Sequence, residues 1–164
     1  ELLSENNFRV IISWLKPIAP FVKQGFKNPR VSGFNSAHSC LSREALVKDG
    51  FGSYIDPVLA KVSSGNLALA EDLQVELNEE QQLVFSWNSR LMPNSNPRDR
   101  IMMLAYNIEK KTARYEVSGA RRTAGRDILP LPAQVSGTYH IYAAFVTEDA
   151  RRQSDSVYLG SVEL

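Results

Sequence analysis

Two rhythms of apolar and polar residues run along this chain, and one gives way to the other near Gly52. Before that point apolar side chains recur at helical spacing; after it they alternate, as along a half-covered strand. Phe8, Ile11, Ile12 and Leu15 fall at i, i+3, i+4 and i+7, which predicts helix over residues 5–26. Ser4 is placed to cap it. Pro17 lacks an amide and disfavours helix at Lys16, so a break is expected there. Pro20 then sits in the first turn of a second segment that ends near Gly25. Trp14 and Phe21 read as packing residues. Asn28-Pro29 and Ser32-Gly33 mark a loop. A second helix is expected from Asn35 to Lys48, with Phe34, His38, Leu41 and Ala45 on one stripe. Asn35 or Ser36 would cap it, and Gly50 and Gly52 would end it. Together the helices form a hairpin.

Beyond Gly52, Val58, Ala60 and Val62 predict a short strand after the Asp56-Pro57 turn. Ser63-Ser64-Gly65 reads as a spacer and places the domain boundary. Residues 1–65 are then the helical hairpin and short strand packing on residues 66–164, which form the β domain. Leu73, Val75 and Leu77 alternate, and after a turn at 78–81 so do Leu83, Phe85 and Trp87. A polar loop with two prolines fills 88–98. Strands follow at 100–108 and outward from Thr112 through Ala113, Tyr115 and Val117. A basic loop from Gly119 to Gly125 leads to Ile128–Leu131, where Pro130 and Pro132 imply a sheet edge. The longest strand, 138–147, carries Tyr139, Ile141, Ala143 and Phe145 on one face and His140, Tyr142, Ala144 and Val146 on the other. It is expected to be central and covered on both sides. A last strand at 156–163 completes seven. The expected fold is α+β: an N-terminal helical hairpin plus a seven-stranded immunoglobulin/fibronectin type III-like antiparallel β-sandwich.

Composition narrows the partners more than the fold. The 164 residues are 43% hydrophobic and 23% charged, an ordinary globular balance. Residues 1–65 hold eight basic and five acidic side chains, and residues 66–164 hold eleven and thirteen. Neither half is basic enough to imply nucleic acid. The single cysteine, Cys40, rules out an internal disulfide framework and leaves the compartment open. No apolar run approaches the roughly 18–20 residues of a membrane helix. The chain starts at Glu1, without Met or a signal pattern, and is expected to be processed or a fragment.

Two resemblances follow from particular residues. The segment from Leu83 to Leu164 resembles a fibronectin type III module through Trp87 near the end of a strand, Tyr139 in GTYHIYAAFV, and the closing SDSVYLGSVEL. The loop at 88–98 departs from that pattern in length. Across nearly the whole chain, SWLKPIAPFVKQGFKN, GFNSAHS, VSSGNL, LAYN, YEVSGARRTAG and SVYLGSVEL resemble a bacterial family known only as a domain of unknown function. Members of that family begin further upstream with a glycine-rich, β-forming stretch. The resemblance thus implies a C-terminal portion in which residues 1–65 and 66–164 belong together. It supplies no activity, ligand or catalytic residue.

The chemistry legible in the residues is sparse. His38 and Cys40 lie two apart on a predicted helix and face different ways, and no CxxC or HxxxH spacing appears, so no metal or other cofactor is expected. A Cys40–His140 pair would have to form across the domain boundary; Cys40 reads instead as a small buried thiol. GxSxG, GxGxxG and Walker patterns are missing. Glu71/Asp72, Glu79/Glu80 and Glu148/Asp149 adjoin predicted turns, where solvated charge is the normal reading. Arg121, Arg122 and Arg126 lie around one loop, and Arg151 and Arg152 around another. If those loops share one end of the sandwich, their guanidinium groups are candidates for a carboxylate, phosphate or sulfated sugar; the plainer reading is solubility. Aromatic residues are not interleaved with them, which argues against nucleic acid. The expected role is a non-enzymatic interaction or structural module of a bacterial surface or multi-protein assembly, with protein or glycan partners. The alternatives are a virion or injection-apparatus structural protein and a carbohydrate- or anion-binding module using the arginine loops.

Overall fold

The structure, a computed structural model, describes residues 2–164, with side chains from residue 5 onward. Helix α1 spans Leu2–Leu15, so Ser4 lies inside it, and the Ser4 side chain is outside the described residues. At Pro17 the chain tightens into one 3-10 turn, Lys16–Ile18, and re-enters helix as α2, Ala19–Gly25. Ile11, Trp14, Leu15, Ile18, Phe21 and Val22 are buried. That face is rotated from the expected stripe: Phe8 is 56% exposed and Ile12 half-buried. The large indole of Trp14 claims the interior, packing edge-on against Tyr106 at 5.2 Å, and Phe8 is turned outward.

Helix α3 spans Gly33–Glu44. Its cap is Ser32, whose Oγ accepts the Asn35 amide at 3.1 Å, not Asn35 or Ser36. The helix also stops short of Lys48. Leu46–Asp49 (β1) and Gly52–Ile55 (β2) pair as an antiparallel hairpin instead. The Asp49 carboxylate accepts the Phe51 amide at 2.8 Å, and Gly52 takes φ +145°, so the glycines close a hairpin where a helix end was expected. The strand expected at 58–62 does not form. Asp56 holds a turn there: Oδ1 accepts the Val58 amide at 2.9 Å, and its carbonyl accepts the amides of Leu59 and Ala60, each at 3.1 Å. Ala60 and Val62 are buried and Val58 exposed, so the alternation reflects burial without a paired strand.

Seven more strands make two antiparallel sheets. Gln74–Leu77 (β3), Gln82–Ser86 (β4) and Arg126–Pro130 (β7) form one, in the order β3-β4-β7. Arg100–Asn107 (β5), Thr112–Glu116 (β6), Thr138–Val146 (β8) and Val157–Glu163 (β9) form the other, in the order β6-β5-β8-β9. Between the sheets lie Leu83, Phe85, Trp87 and Leu129 against Ile101, Met103, Tyr139, Ile141 and Phe145. The alternate residues of β5 and β8, Met102, Leu104, Tyr106, Tyr142, Ala144 and Val146, meet α1, α2 and α3. The four-stranded sheet is therefore the middle of three layers. Tyr106 Oη donates to the Trp14 carbonyl and Tyr142 Oη to the Pro57 carbonyl, both at 2.6 Å, which satisfies each phenol inside the apolar layer.

Residues 62–65 stitch the layers together. Ser63 is fully buried and its Oγ donates to the Ser154 carbonyl at 2.6 Å. The Ser64 amide donates to the Gly25 carbonyl at 2.8 Å, and the Ser156 amide to the Ser63 carbonyl at 2.9 Å. A Cβ at Gly25 would run into the Val62 carbonyl, and one at Gly65 into that of Gln153. Glycine is required at both because backbone passes against backbone.

Candidate functional site

Three loops gather at the end of the sheets where β5 begins and β8 ends: residues 87–99, 117–125 and 147–156. The first is shaped by its own polar residues. Asn96 Oδ1 accepts the Arg98 amide at 2.9 Å, Ser95 Oγ accepts the Met92 amide at 3.0 Å, and Asp99 Oδ2 accepts the Asn96 amide at 2.8 Å. In the third, Asp149 accepts from the Thr147 hydroxyl at 2.7 Å and the Arg151 amide at 3.1 Å, and these bonds hold its carboxyl below the usual range.

Arg122 anchors the group from beneath. It is wholly buried, with Nε 3.1 Å from Asp99 Oδ2, Cζ 4.3 Å above the Phe145 ring, and Nη2 donating to the Ala68 carbonyl. Its amide donates to the Asp99 carbonyl at 2.7 Å, and its own carbonyl accepts the Trp87 indole N–H at the same distance. Desolvation pushes the guanidinium below its ordinary pKa and the adjacent Asp99 charge pulls it back. Asp99 Oδ1 and Arg122 Nη1 have no partner among the described residues.

The surface above is organised by Glu148. Arg121 lies 3.3 Å from it, Arg98 3.7 Å and Arg100 3.8 Å. Exposed pairs of this kind are worth about 0–1 kcal/mol each, so this hub marks where the loops meet and adds little to stability. Arg152 Nη2 reaches across to Asn94 Oδ1 at 2.7 Å. Between the loops is a cleft of ≈ 570 Å³ walled by Asn94, Asn96, Arg98, Thr147, Asp149 and Arg152, with Asp99 and Glu148 also on its lining.

The arginines singled out in the sequence thus separate. Arg121 and Arg152 are brought to one end and share the Glu148 neighbourhood. Arg122 is an interior group engaged by Asp99, not an open contact. Arg126, on β7, and Arg151 are exposed and do not line the cleft. Arg98, Arg100, Asn94 and the Glu148 hub went unread in the sequence. The register pairing Arg100 with Val146, which lays the 98–100 segment beside Glu148, would have exposed them.

Elsewhere, the Cys40 thiol donates to Glu44 at 3.1 Å; burial first, and then that carboxylate, push its pKa up to about 11. It is a thiol, not a thiolate, at neutral pH. His140 Nδ1 lies 2.8 Å from the Tyr158 hydroxyl, and desolvation lowers the pKa of its imidazole. Among the described residues no three His, Cys, Asp or Glu side chains cluster in a way that would hold a metal ion. Among the described residues no helix is long and apolar enough to cross a membrane.

No curated protein matches the chain. Residues 4–160, nearly its full length, match a family of unknown function, DUF6266, and the chain belongs to that family.

Proposed function

We propose that this chain is a non-enzymatic interaction module of a bacterial surface or multi-protein assembly, and that its β region is a fibronectin type III-like sandwich binding through the loop end. The sheet orders β3-β4-β7 and β6-β5-β8-β9 support the sandwich reading, as do Trp87 and Tyr139 in the core between the sheets. The observation that carries the binding reading is the preorganised cleft: three loops meeting over the buried Arg122–Asp99 pair, with Arg152 and Arg121 reaching from one loop to the next. Loops held this way lose little freedom when a partner docks.

The cleft's own chemistry favours a neutral polar ligand over an anion. Asp99, Glu148 and Asp149 offset Arg98 and Arg152 along its lining. A glycan or a polar loop of another protein suits that mixture of donors and acceptors. A photo-crosslinking residue at Asn96, in the cleft, should yield discrete adducts in producing cells, while one at the exposed Gln134, at the far end, should not. Equal adducts from both positions, or none from either, overturn this reading. If the partner is a glycan, array binding by the native chain is abolished by Arg152→Ser.

A further inference from the structure

A second surface, at the opposite end of β5, has a different chemistry. The rotation of α1 that buries Trp14 leaves Phe8 and Ile12 at the edge of the helical layer. Phe8, Ile12 and Pro17 floor one cleft of ≈ 340 Å³. Val10, Tyr54, Ile55 and Ile108 floor a neighbouring one of ≈ 340 Å³. The two share Arg9, Ser13 and Lys111, so a pair of cations forms the ridge between two apolar hollows. The β5–β6 turn, with Lys111 at φ +55°, brings the Lys111 ammonium onto Ser13 Oγ. Lys16 adds a third cation at the rim of the first hollow.

Among the described residues no aspartate or glutamate lines either hollow, and Arg9, Lys16 and Lys111 enter no ion pair. Glu5 stands one turn before Arg9 on α1 without bridging it, and Glu109 lies two residues before Lys111 on the turn. Trp14 belongs to the wall of the second hollow, and its buried indole N–H finds no acceptor among the described residues. The strip therefore presents three like charges with apolar floors on both sides of them.

We propose that this groove docks a segment of a partner protein that carries acidic side chains between two apolar ones. The apolar residues would enter the hollows, and the carboxylates would meet Arg9 and Lys111 on the ridge. An acyl chain fits worse, because a continuous apolar tail would have to cross the two cations. The surface lies away from the loop cleft, so this inference and the preceding reading fail or stand separately.

The test selects random displayed dodecapeptides on the full chain, alongside co-sedimentation with phosphatidylcholine–phosphatidylglycerol vesicles. Enriched peptides should carry Asp or Glu between apolar residues. Their affinity should fall about tenfold or more on the double substitution Arg9→Glu, Lys111→Glu, and on Phe8→Ser, with unchanged unfolding midpoints. Lys16→Glu, a single exposed change, serves if the double variant is destabilised. Peptides without acidic enrichment, equal binding to the charge-reversed variant, or vesicle binding that depends on Arg9 and Lys111 without peptide enrichment, each overturn the proposal.

Discussion

Asp99 and Arg122 are removed from water almost completely, being 1% and 0% exposed, and this changes what their contact means. The surface pairs around Glu148 exchange one solvated state for another; the buried pair has no such alternative. Removing one partner leaves the other charge in an apolar layer, at a cost of about 3–5 kcal/mol. Asp99→Asn should therefore lower urea-unfolding stability by that amount. Asp99→Asn combined with Arg122→Met should lose clearly less than the sum of the two single changes, since no bare charge remains. If Asp99→Asn unfolds within about 0.5 kcal/mol of the native chain, the pair is not the anchor described. Arg121→Ser, by contrast, removes only an exposed contact and should be nearly neutral.

Among the elements, α2 is placed by contact distance. Gly25 ends it against the backbone of Val62 and Ser63, so Gly25→Ala forces those segments apart and should cost about 1–3 kcal/mol. Gly50→Ala meets nothing within 4 Å and should stay within about 0.5 kcal/mol. Thermal unfolding of the two variants side by side separates crowding from a general intolerance of alanine. Such contacts explain which parts of the fold were legible in advance. The break at Pro17 and the doubly covered strand expected at 138–147 follow from local chemistry and period alone, and both are present, the strand as Thr138–Val146. The end of α3 was misplaced because Leu46 and Val47 continue an apolar run that suits a helix as well as a strand. Only pairing with Gly52–Ile55 decides it. The cleft was half legible: the arginines stood out, but burial of Arg122 depends on Asp99, a residue 23 positions away.

For the whole molecule, the sheet shared by two cores is the decisive fact. Met102, Leu104, Tyr106, Tyr142 and Val146 share a core with the helices and with Ile55, Ala60 and Val62, not with the other sheet. Residues 66–164 made alone should expose that face and self-associate, as judged by light scattering, while the full chain should not. A monomeric fragment with the full chain's unfolding midpoint would contradict the three-layer account.

The same sheet has a less obvious property. Where both sides of a strand are greasy, sliding it by one residue exchanges one oily face for another, and side-chain pattern alone offers little resistance. The phenols of Tyr106 and Tyr142 break that ambiguity. In the observed alignment each finds a carbonyl, of Trp14 and of Pro57; turned inward by a slip, each would be stranded without an acceptor. Helix α1 and the Asp56 turn thus act together as an alignment key, selecting which of two nearly equivalent sheets the chain adopts.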